Sequence, residues 1–420
     1  MEQIDYERKK DLQRKLQSSL DYSREIPEEE LLELIDGLIE EEHRIKRISL
    51  PEREYLRKAL YNAVRKLDLL QEIIDGTYTE IMINGPNHIF VEEKGCLKEH
   101  PMRFESEEKL EQVIQQIVSS CNRAVNEASP IADARLNESR VNIVLAPVAL
   151  NGPIVTIRRF PEHPITMEDL LSFGSITTEV CTFLNRLIRA KYNILISGGT
   201  GSGKTTFLNA LSAYIPRDER IITIEDNAEL QILDCPNLVR LETRNANSEG
   251  CREIGIRDLI RTSLRMRPDR IIVGEVRGGE AFEMMQALNT GHDGSLVTAH
   301  ANSAEDMLSR LENMILMGME IPLPAIRRQI ASGVDIIIHL GRLRDRSRKV
   351  LQIVEILGYE NGEILCHPLY EFEENGMTKD GHVSGALRRK EELVHCEKLK
   401  LEGLYSKTSK KADEKRERTV

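Results

Sequence analysis

The chain has 420 residues, a formal net charge of −11, and 40% hydrophobic against 30% charged residues. That length predicts two or three domains, and that balance predicts a soluble globular protein. The acidity argues against a general nucleic-acid coat, though not against a local basic channel. No uninterrupted apolar run is long enough to span a bilayer.

In chain order, residues 2–70 read as polar helices. Leu31, Leu34, Ile35, Leu38 and Ile39 form one apolar stripe at helical spacing. Eight acids fall between Glu28 and Glu42 before any base appears. The plainer reading is a solvated face; the sharper one is an acidic docking surface for a basic partner. A third helix starts near Pro51, with Leu56, Leu60, Val64 and Leu67 on its buried side. From about Thr79 the period changes to that of strands. Glu80 to Asn84, a turn at Gly85-Pro86-Asn87, and Ile89 to Val91 predict a hairpin. Ser106 caps a long helix whose core face is Leu110, Val113, Ile114, Ile117, Val118 and Cys121. Val141 to Ala146 and Ile154 to Arg159 are further strands. Pro161, His163 and Pro164 mark a boundary, and Thr166 to Asp169 approximates a capping box that opens a new helix.

From Asn193 onward strands and helices alternate, with strands predicted at 193–197, 220–225, 237–242, 270–274, 295–299 and 334–340. This is the pattern of a mainly parallel sheet covered by helices. After the first of these strands comes Gly198-Gly199-Thr200-Gly201-Ser202-Gly203-Lys204-Thr205, which fits G-x-x-x-x-G-K-[ST]. Thr206 to Leu211 then read as a helix. The glycines let backbone N–H groups turn toward phosphate oxygens at a helix N-terminus, so residues 198–206 are the expected ATP cradle. Lys204 can reach the β and γ phosphates, and the Thr205 hydroxyl can ligate Mg²⁺.

Three further segments point to the same sheet edge. Ile271 to Glu275 is an apolar strand that ends in a carboxylate, and Glu275 there can order Mg²⁺ through water or polarise the attacking water. Ile221 to Asp226 is a second strand that ends in acids, with Glu225 suited to general-base work and Asp226 to metal-water coordination. His300 follows the end of a third strand and can sense the γ-phosphate; His292 precedes that strand, and a structural role for it is equally open. Phosphoryl transfer also needs cations. Candidates are Arg277, two residues after Glu275, and Arg140, Arg158 and Arg159, which lie before the boundary. Arg257, Arg261 and Arg265 form a helical stripe that reads as an exposed or inter-subunit face.

Met1 to Asp5 lack the basic and apolar regions of a signal peptide. The 7 cysteines are scattered, which predicts reduced thiols in a cytosolic protein. Cys366-His367 and His395-Cys396 lack the spacing of a zinc site and read as isolated surface residues.

The run Arg267 to Ala281 resembles the type II/type IV secretion ATPases. With Thr290 to Ser303, Ser139 to Asn142 and Thr156 to Phe160, it is similar to the CpaF-like pilus-assembly branch of tight-adherence systems. The resemblance runs from about Val125 to Gly341. It implies an α/β fold, with a RecA-like P-loop motor domain preceded by a smaller α+β domain and an N-terminal helical bundle. The expected limits are 1–70 for the bundle, 75–160 for the α+β domain, 165–375 for the motor and 376–420 for a polar, partly disordered tail. It also implies a homohexameric ring. By the same resemblance Lys204 and Thr205 fall in Walker A, Glu225 and Asp226 in the acidic box, Glu275 in Walker B, and His292 and His300 in the histidine box. Arg140, Arg158 and Arg159 match arginines that approach the nucleotide from the N-terminal domain. One departure is Leu136-Asn137-Glu138-Ser139, where the branch has a Pro and a Gly in the turn.

The function expected is a cytoplasmic ATPase, peripheral at the inner face of the cell membrane. It would use ATP and Mg²⁺ to drive pilus assembly or secretion through polytopic inner-membrane platform proteins. A RecA-like nucleic-acid motor is the alternative, weakened by the net charge and the absence of interleaved aromatic and basic residues. A nucleotide-gated module without hydrolysis is weakened by the presence of both Glu225 and Glu275.

Overall fold

The computed structural model describes residues 6–21, 24, 26–93, 95–121, 124–136, 139–160, 164–244, 252–378 and 380–405. The chain divides into two compact units, Met1–Pro161 and Glu162–Val420. The expected boundary residues Pro161 and His163, and Asn137 and Glu138 of the departing turn, lie outside the described residues.

The first unit opens with four helices, α1 (Tyr6–Ser19), α2 (Glu28–Ile45), α3 (Leu50–Arg65) and α4 (Asp68–Ile74). Leu12 and Leu16 of α1, Leu31, Ile35 and Ile39 of α2, and Leu56 and Leu60 of α3 close one small core. The predicted stripe is thus the buried face of α2, although Leu34 and Leu38 stay at its margin. Several acids of α2 are paired: Glu30 with Arg24, Asp36 with Arg57 and Glu42 with Lys15. Helix α4 faces another core: Leu69, Leu70 and Ile73 pack with the sheet that follows. That sheet is built from β1 (Glu80–Asn84), β2 (Ile89–Glu93), β3 (Cys96–Glu99), β4 (Ile131–Leu136), β5 (Ser139–Val144) and β6 (Ile154–Arg159). Its order is β3-β2-β1-β6-β5-β4, antiparallel throughout. The amphipathic α5 (Glu107–Ser120), capped by Ser106, supplies its predicted apolar face to the same core.

The second unit begins with α6 (Met167–Ser172), whose Thr166 and Asp169 form the predicted capping box, and α7 (Thr178–Arg189). Then come β7 (Ile194–Gly198), α8 (Lys204–Ser212), β8 (Ile221–Glu225), β9 (Leu238–Glu242), α9 (Ile256–Ser263), β10 (Arg270–Val276), α10 (Ala281–Leu288), β11 (Leu296–Ala299), α11 (Ala304–Gly318), α12 (Leu323–Gly333) and β12 (Ile336–Arg342). The six strands expected from the sequence are therefore present. β12, β7, β11, β10, β8 and β9 lie side by side in that order, all parallel. Helices cover both faces, and two cores lie on either side of β7 to β12. Among the described residues no helix is long and apolar enough to cross a membrane.

The sheet does not stop at β12. It adds β13 (Arg348–Glu360), β14 (Glu363–Met377) and β15 (Val383–Arg389) as antiparallel strands, and α13 (Glu397–Leu401) follows. The expectation of a polar tail from 376 on is corrected for residues up to 405. Val350, Ile353, Val354 and Ile356 of β13, Leu369 and Tyr370 of β14 and Leu387 of β15 join the two cores, and charge pairs such as Lys390 with Glu373 at 2.7 Å hold the exposed side. The segment after them is anchored as well. Lys398 Nζ donates to Asp293 at 2.8 Å and to Asp335 at 2.7 Å, and Arg186 Nη2 donates to the Leu404 carbonyl at 2.7 Å. The basic stretch from Ser406 lies outside the described residues.

Candidate functional site

The site lies where β7, β11 and β10 end. β7 is central, flanked by β11 and β12, and pairs Ser197 with Ala299 on one side and with His339 on the other. The chain then turns sharply through the glycine loop. Gly198 is required by crowding: a Cβ there would stand 2.5 Å from the Leu340 carbonyl oxygen and 2.6 Å from Ser202 Oγ. Gly203 is required by its backbone, with φ +91° at the cap of α8. The loop therefore presents the first amides of α8 beside Lys204 and Thr205.

Lys204 is 8% exposed. Its Nζ donates to the carbonyls of Gly198 at 3.1 Å and Gly199 at 3.2 Å. The same Nζ lies 3.2 Å from His300 Nδ1. Burial pushes the ammonium below its ordinary value, against the pull of Glu275. Burial, then the adjacent Lys204 charge, likewise holds His300 below the usual imidazole range. A neutral His300 accepts from Lys204 through Nδ1, and its Nε2 lies 2.6 Å from Glu275 Oε1, an oxygen that no hydrogen bond reaches among the described residues. Arg277 Nη2 donates to the other oxygen, Glu275 Oε2, at 2.6 Å. Lys204, His300, Glu275 and Arg277 thus form one connected chain.

The sheet explains how these groups meet. The register between β10 and β11 shifts between Val273 and Val276, at the strand end that carries Glu275. Asp226 stands at the end of neighbouring β8, its Oδ2 3.7 Å from Arg277 Nη1. Of the predicted metal set, Asp226 and Glu275 stand at the ends of β8 and β10, and Thr205 lies in the first turn of α8 after the glycine loop.

Glu225 is placed differently from Asp226. It is 3% exposed, and its Oε1 accepts from the amides of Glu229 at 2.9 Å and Leu230 at 2.8 Å. Oε2 is buried without a partner. Burial raises this carboxyl to about 7. Gly274 leaves room for it, since a Cβ there would stand 2.9 Å from Glu225 Cγ. In this conformation Glu225 shapes the loop after β8. His292 is partly buried, and its Nδ1 has no partner, while its carbonyl accepts from Ser295 Oγ at 2.8 Å.

The three N-terminal arginines are paired within the first unit. Arg140 Nη2 is 3.6 Å from Asp133 Oδ1, Arg158 Nε is 3.4 Å from Glu80 Oε1, and Arg159 donates to the Gly76 carbonyl. In the second unit, Arg257 Nε and Arg261 Nη2 both bond Glu283 Oε1 at 2.7 Å, so two members of the predicted stripe tie α9 to α10.

Two features escaped the sequence reading. His339 on β12 is buried, and its Nδ1 meets Ser197 Oγ at 2.9 Å, bracing the strand that feeds the glycine loop. A cavity of about 240 Å³ opens beside that loop, lined by Phe173, Ser202, Gly203, Thr206, Phe207, Leu340 and the hairpin residues Arg346 and Arg348. Arg348 Nε donates to the Gly201 carbonyl at 2.9 Å. Neither is visible in a local motif, because the partners are more than a hundred residues apart.

The sequence pattern of the type II/IV secretion system protein family matches residues 64–411. The conjugal transfer protein TrbB of Rhizobium radiobacter is 32% identical over 317 residues, covering 74% of this chain and 92% of that protein. The type IV secretion system protein VirB11 of Bartonella henselae is 33% identical over 313 residues, covering 65% of this chain and 86% of that protein. Among solved structures, the ATPase DotB of Legionella pneumophila has the same fold, with a TM-score of 0.50 and 21% identity over 68% of this chain and 79% of that one.

Proposed function

Because the chain belongs to the type II/IV secretion system protein family, we propose that it is an ATPase motor. In this reading it couples Mg²⁺-dependent ATP hydrolysis to pilus assembly or protein export through inner-membrane platform proteins, working as a homohexamer at the cytoplasmic face of the membrane. The observation that carries the reading is the connected chain of Lys204, His300, Glu275 and Arg277 at the mouth of a glycine phosphate loop. Within the family, the motifs around Arg140, Arg158 and Glu275 lead us to the tight-adherence pilus branch.

The residues fit ATP and Mg²⁺. Among the described residues the Ser202 hydroxyl is buried without a partner, and the desolvated Lys204 ammonium is held by two backbone carbonyls and a neutral imidazole. Both are spare donors for phosphate oxygens. Thr205, Asp226 and Glu275 would supply oxygens to hold Mg²⁺, which would neutralise phosphate charge there. Lys204 binds those phosphates as a point charge. Glu275 orients the attacking water, and its own orientation is set by His300 and Arg277. Arg277 and His300 report the γ-phosphate. The cavity beside Phe173 and Arg348 receives the nucleoside. Glu225 holds the loop that carries Asp226, and on closure its free Oε2 is available as a base. Arg140, Arg158 and Arg159 complete the site from a neighbouring subunit once they leave their local partners Asp133, Glu80 and the Gly76 carbonyl.

The test is ATP turnover by the purified chain, alone, with vesicles that hold its cognate platform protein, and with single-stranded DNA. Stimulation by the platform vesicles alone is expected. Stimulation by the DNA alone would replace this reading with a nucleic-acid motor.

A further inference from the structure

The segment that carries His300 touches the Glu275 loop twice. The first contact is His300 itself, at 2.6 Å from Glu275 Oε1. The second is at the far end of α11. Ser303 caps that helix by accepting from the Asp306 amide at 2.9 Å, only three residues after His300. The helix then runs for 15 residues to Gly318, a span of about 20 Å. Met307, Leu311, Met314 and Ile315 bury its inner face in the same core as Val273 and Val276 of β10.

At Gly318 the helix backbone rests on the backbone of Gly279. A Cβ on Gly318 would stand 2.2 Å from the Gly279 carbonyl oxygen, and a Cβ on Gly279 would stand 2.8 Å from Gly318 Cα. Each glycine is required by this close approach rather than by a left-handed φ. Gly279 lies two residues beyond Arg277, in a turn closed by Glu280, whose Oε1 accepts from the amides of Arg277 at 2.7 Å and Gly278 at 2.9 Å. The loop from Glu275 to Gly279 is therefore held at both ends by one continuous segment, with Arg277 between the two holds.

We propose that α11 is a strut that fixes the Glu275–Arg277 loop relative to His300, with the Gly279–Gly318 backbone contact as its far bearing. Nucleotide at the glycine loop meets Lys204 and His300. A shift of His300 is carried along α11 to Gly279, because a helix packed along its length moves as a body. The two glycines are positioning residues: they touch no reacting atom, and they set where Arg277 and Glu275 stand. The proposal rests on the ATPase reading above.

The test uses the full chain with Gly318→Ala, and Gly37→Ala as a control, since a Cβ at Gly37 meets nothing within 4 Å. Turnover and hydrogen–deuterium exchange are measured with ATP and with a non-hydrolysable ATP analogue. For Gly318→Ala, kcat is expected to fall about tenfold or more while KM for ATP changes little. Analogue binding is expected to slow exchange at 300–303 in every variant, and at 275–282 only in the wild type and Gly37→Ala. Gly279→Ala, with the milder clash, carries the same test if Gly318→Ala does not fold. Unchanged kcat and unchanged protection at 275–282 in a folded variant would overturn the strut. So would loss of analogue binding, because the bearing acts on the acid loop and not on the phosphate loop. If the wild type binds ATP without hydrolysing it, the ATPase reading fails while the exchange pattern still decides the strut.

Discussion

Replacing His300 with alanine probes the connected chain at its centre. The imidazole meets Lys204 Nζ at 3.2 Å and Glu275 Oε1 at 2.6 Å, so one truncation removes a neighbour from each. Leaving a charged, largely buried group without its hydrogen bond costs about 1–3 kcal/mol or more. If most of that cost falls on the transition state, turnover drops by about 10–100-fold. Nucleotide binding is affected less, because Lys204 keeps its two carbonyl partners and the glycine loop is untouched. The pH profile adds a second check. Burial and Lys204 place His300 below its ordinary value of 6.5, so the neutral form is held through the neutral range. Activity that depends on neutral His300 is then lost only as pH falls below about 6.5, and His300→Ala should lack that acid limb. Phosphate release is measured from pH 5 to 8 beside ADP affinity at each pH. Full turnover in His300→Ala, or a wild-type acid limb centred above 6.5, would refute the reasoning.

Three other outcomes follow from the geometry. Arg270 is fully buried and forks onto Glu219, with Nη2 to Oε1 at 3.1 Å and Nη1 to the Gly294 carbonyl at 3.2 Å; Arg270→Ala leaves that largely buried carboxylate with Lys191 at 3.7 Å as its remaining cation and should cost about 3 kcal/mol in denaturant unfolding. Phe173 lines the cavity beside the glycine loop, so Phe173→Ala should weaken ADP binding about tenfold and leave inhibition by pyrophosphate unchanged, since base–aromatic stacking is worth about 1–3 kcal/mol. Mixing Arg158→Ala/Arg159→Ala subunits with Glu275→Gln subunits should restore part of the activity if arginines act on a neighbour's site, where such groups are worth about 10³–10⁵ in rate; an inactive mixture, with mixed rings verified by mass, would leave these arginines to their pairing with Glu80 and Gly76.

The parts legible in the sequence share one property: their signal is local. The glycine loop, the strands that lead into it, the Ser106 and Thr166 caps and the α5 core face are each read from a short window, and each stands as read. β13 to β15 were not legible, because their buried residues, such as Val350, Ile353, Val354 and Ile356, break strict alternation and sit among largely polar stretches such as Glu371 to Gly376. Leu67 reads as one face with Leu56 and Leu60, yet it lies past the end of α3 and packs with Leu69, Leu70 and Ile73 on the sheet side, since a helical period shows that a face is buried and not against what. The acids Glu225 and Asp226 are adjacent in sequence, and only tertiary packing sets one against loop amides and the other toward Arg277. His339 and Arg348 carry no motif, and their contacts to Ser197 and Gly201 are made by the sheet.

The central claim is that the connected chain at the glycine loop hydrolyses ATP. Its most direct measurement is Mg²⁺-dependent phosphate release by the wild type, Lys204→Ala and Glu275→Gln, with nucleotide binding followed on the same samples. Steady release by the wild type is predicted, with loss in both variants and ATP binding retained by Glu275→Gln alone. A wild type that binds ATP without releasing phosphate, or a Glu275→Gln variant that turns over normally, would contradict it.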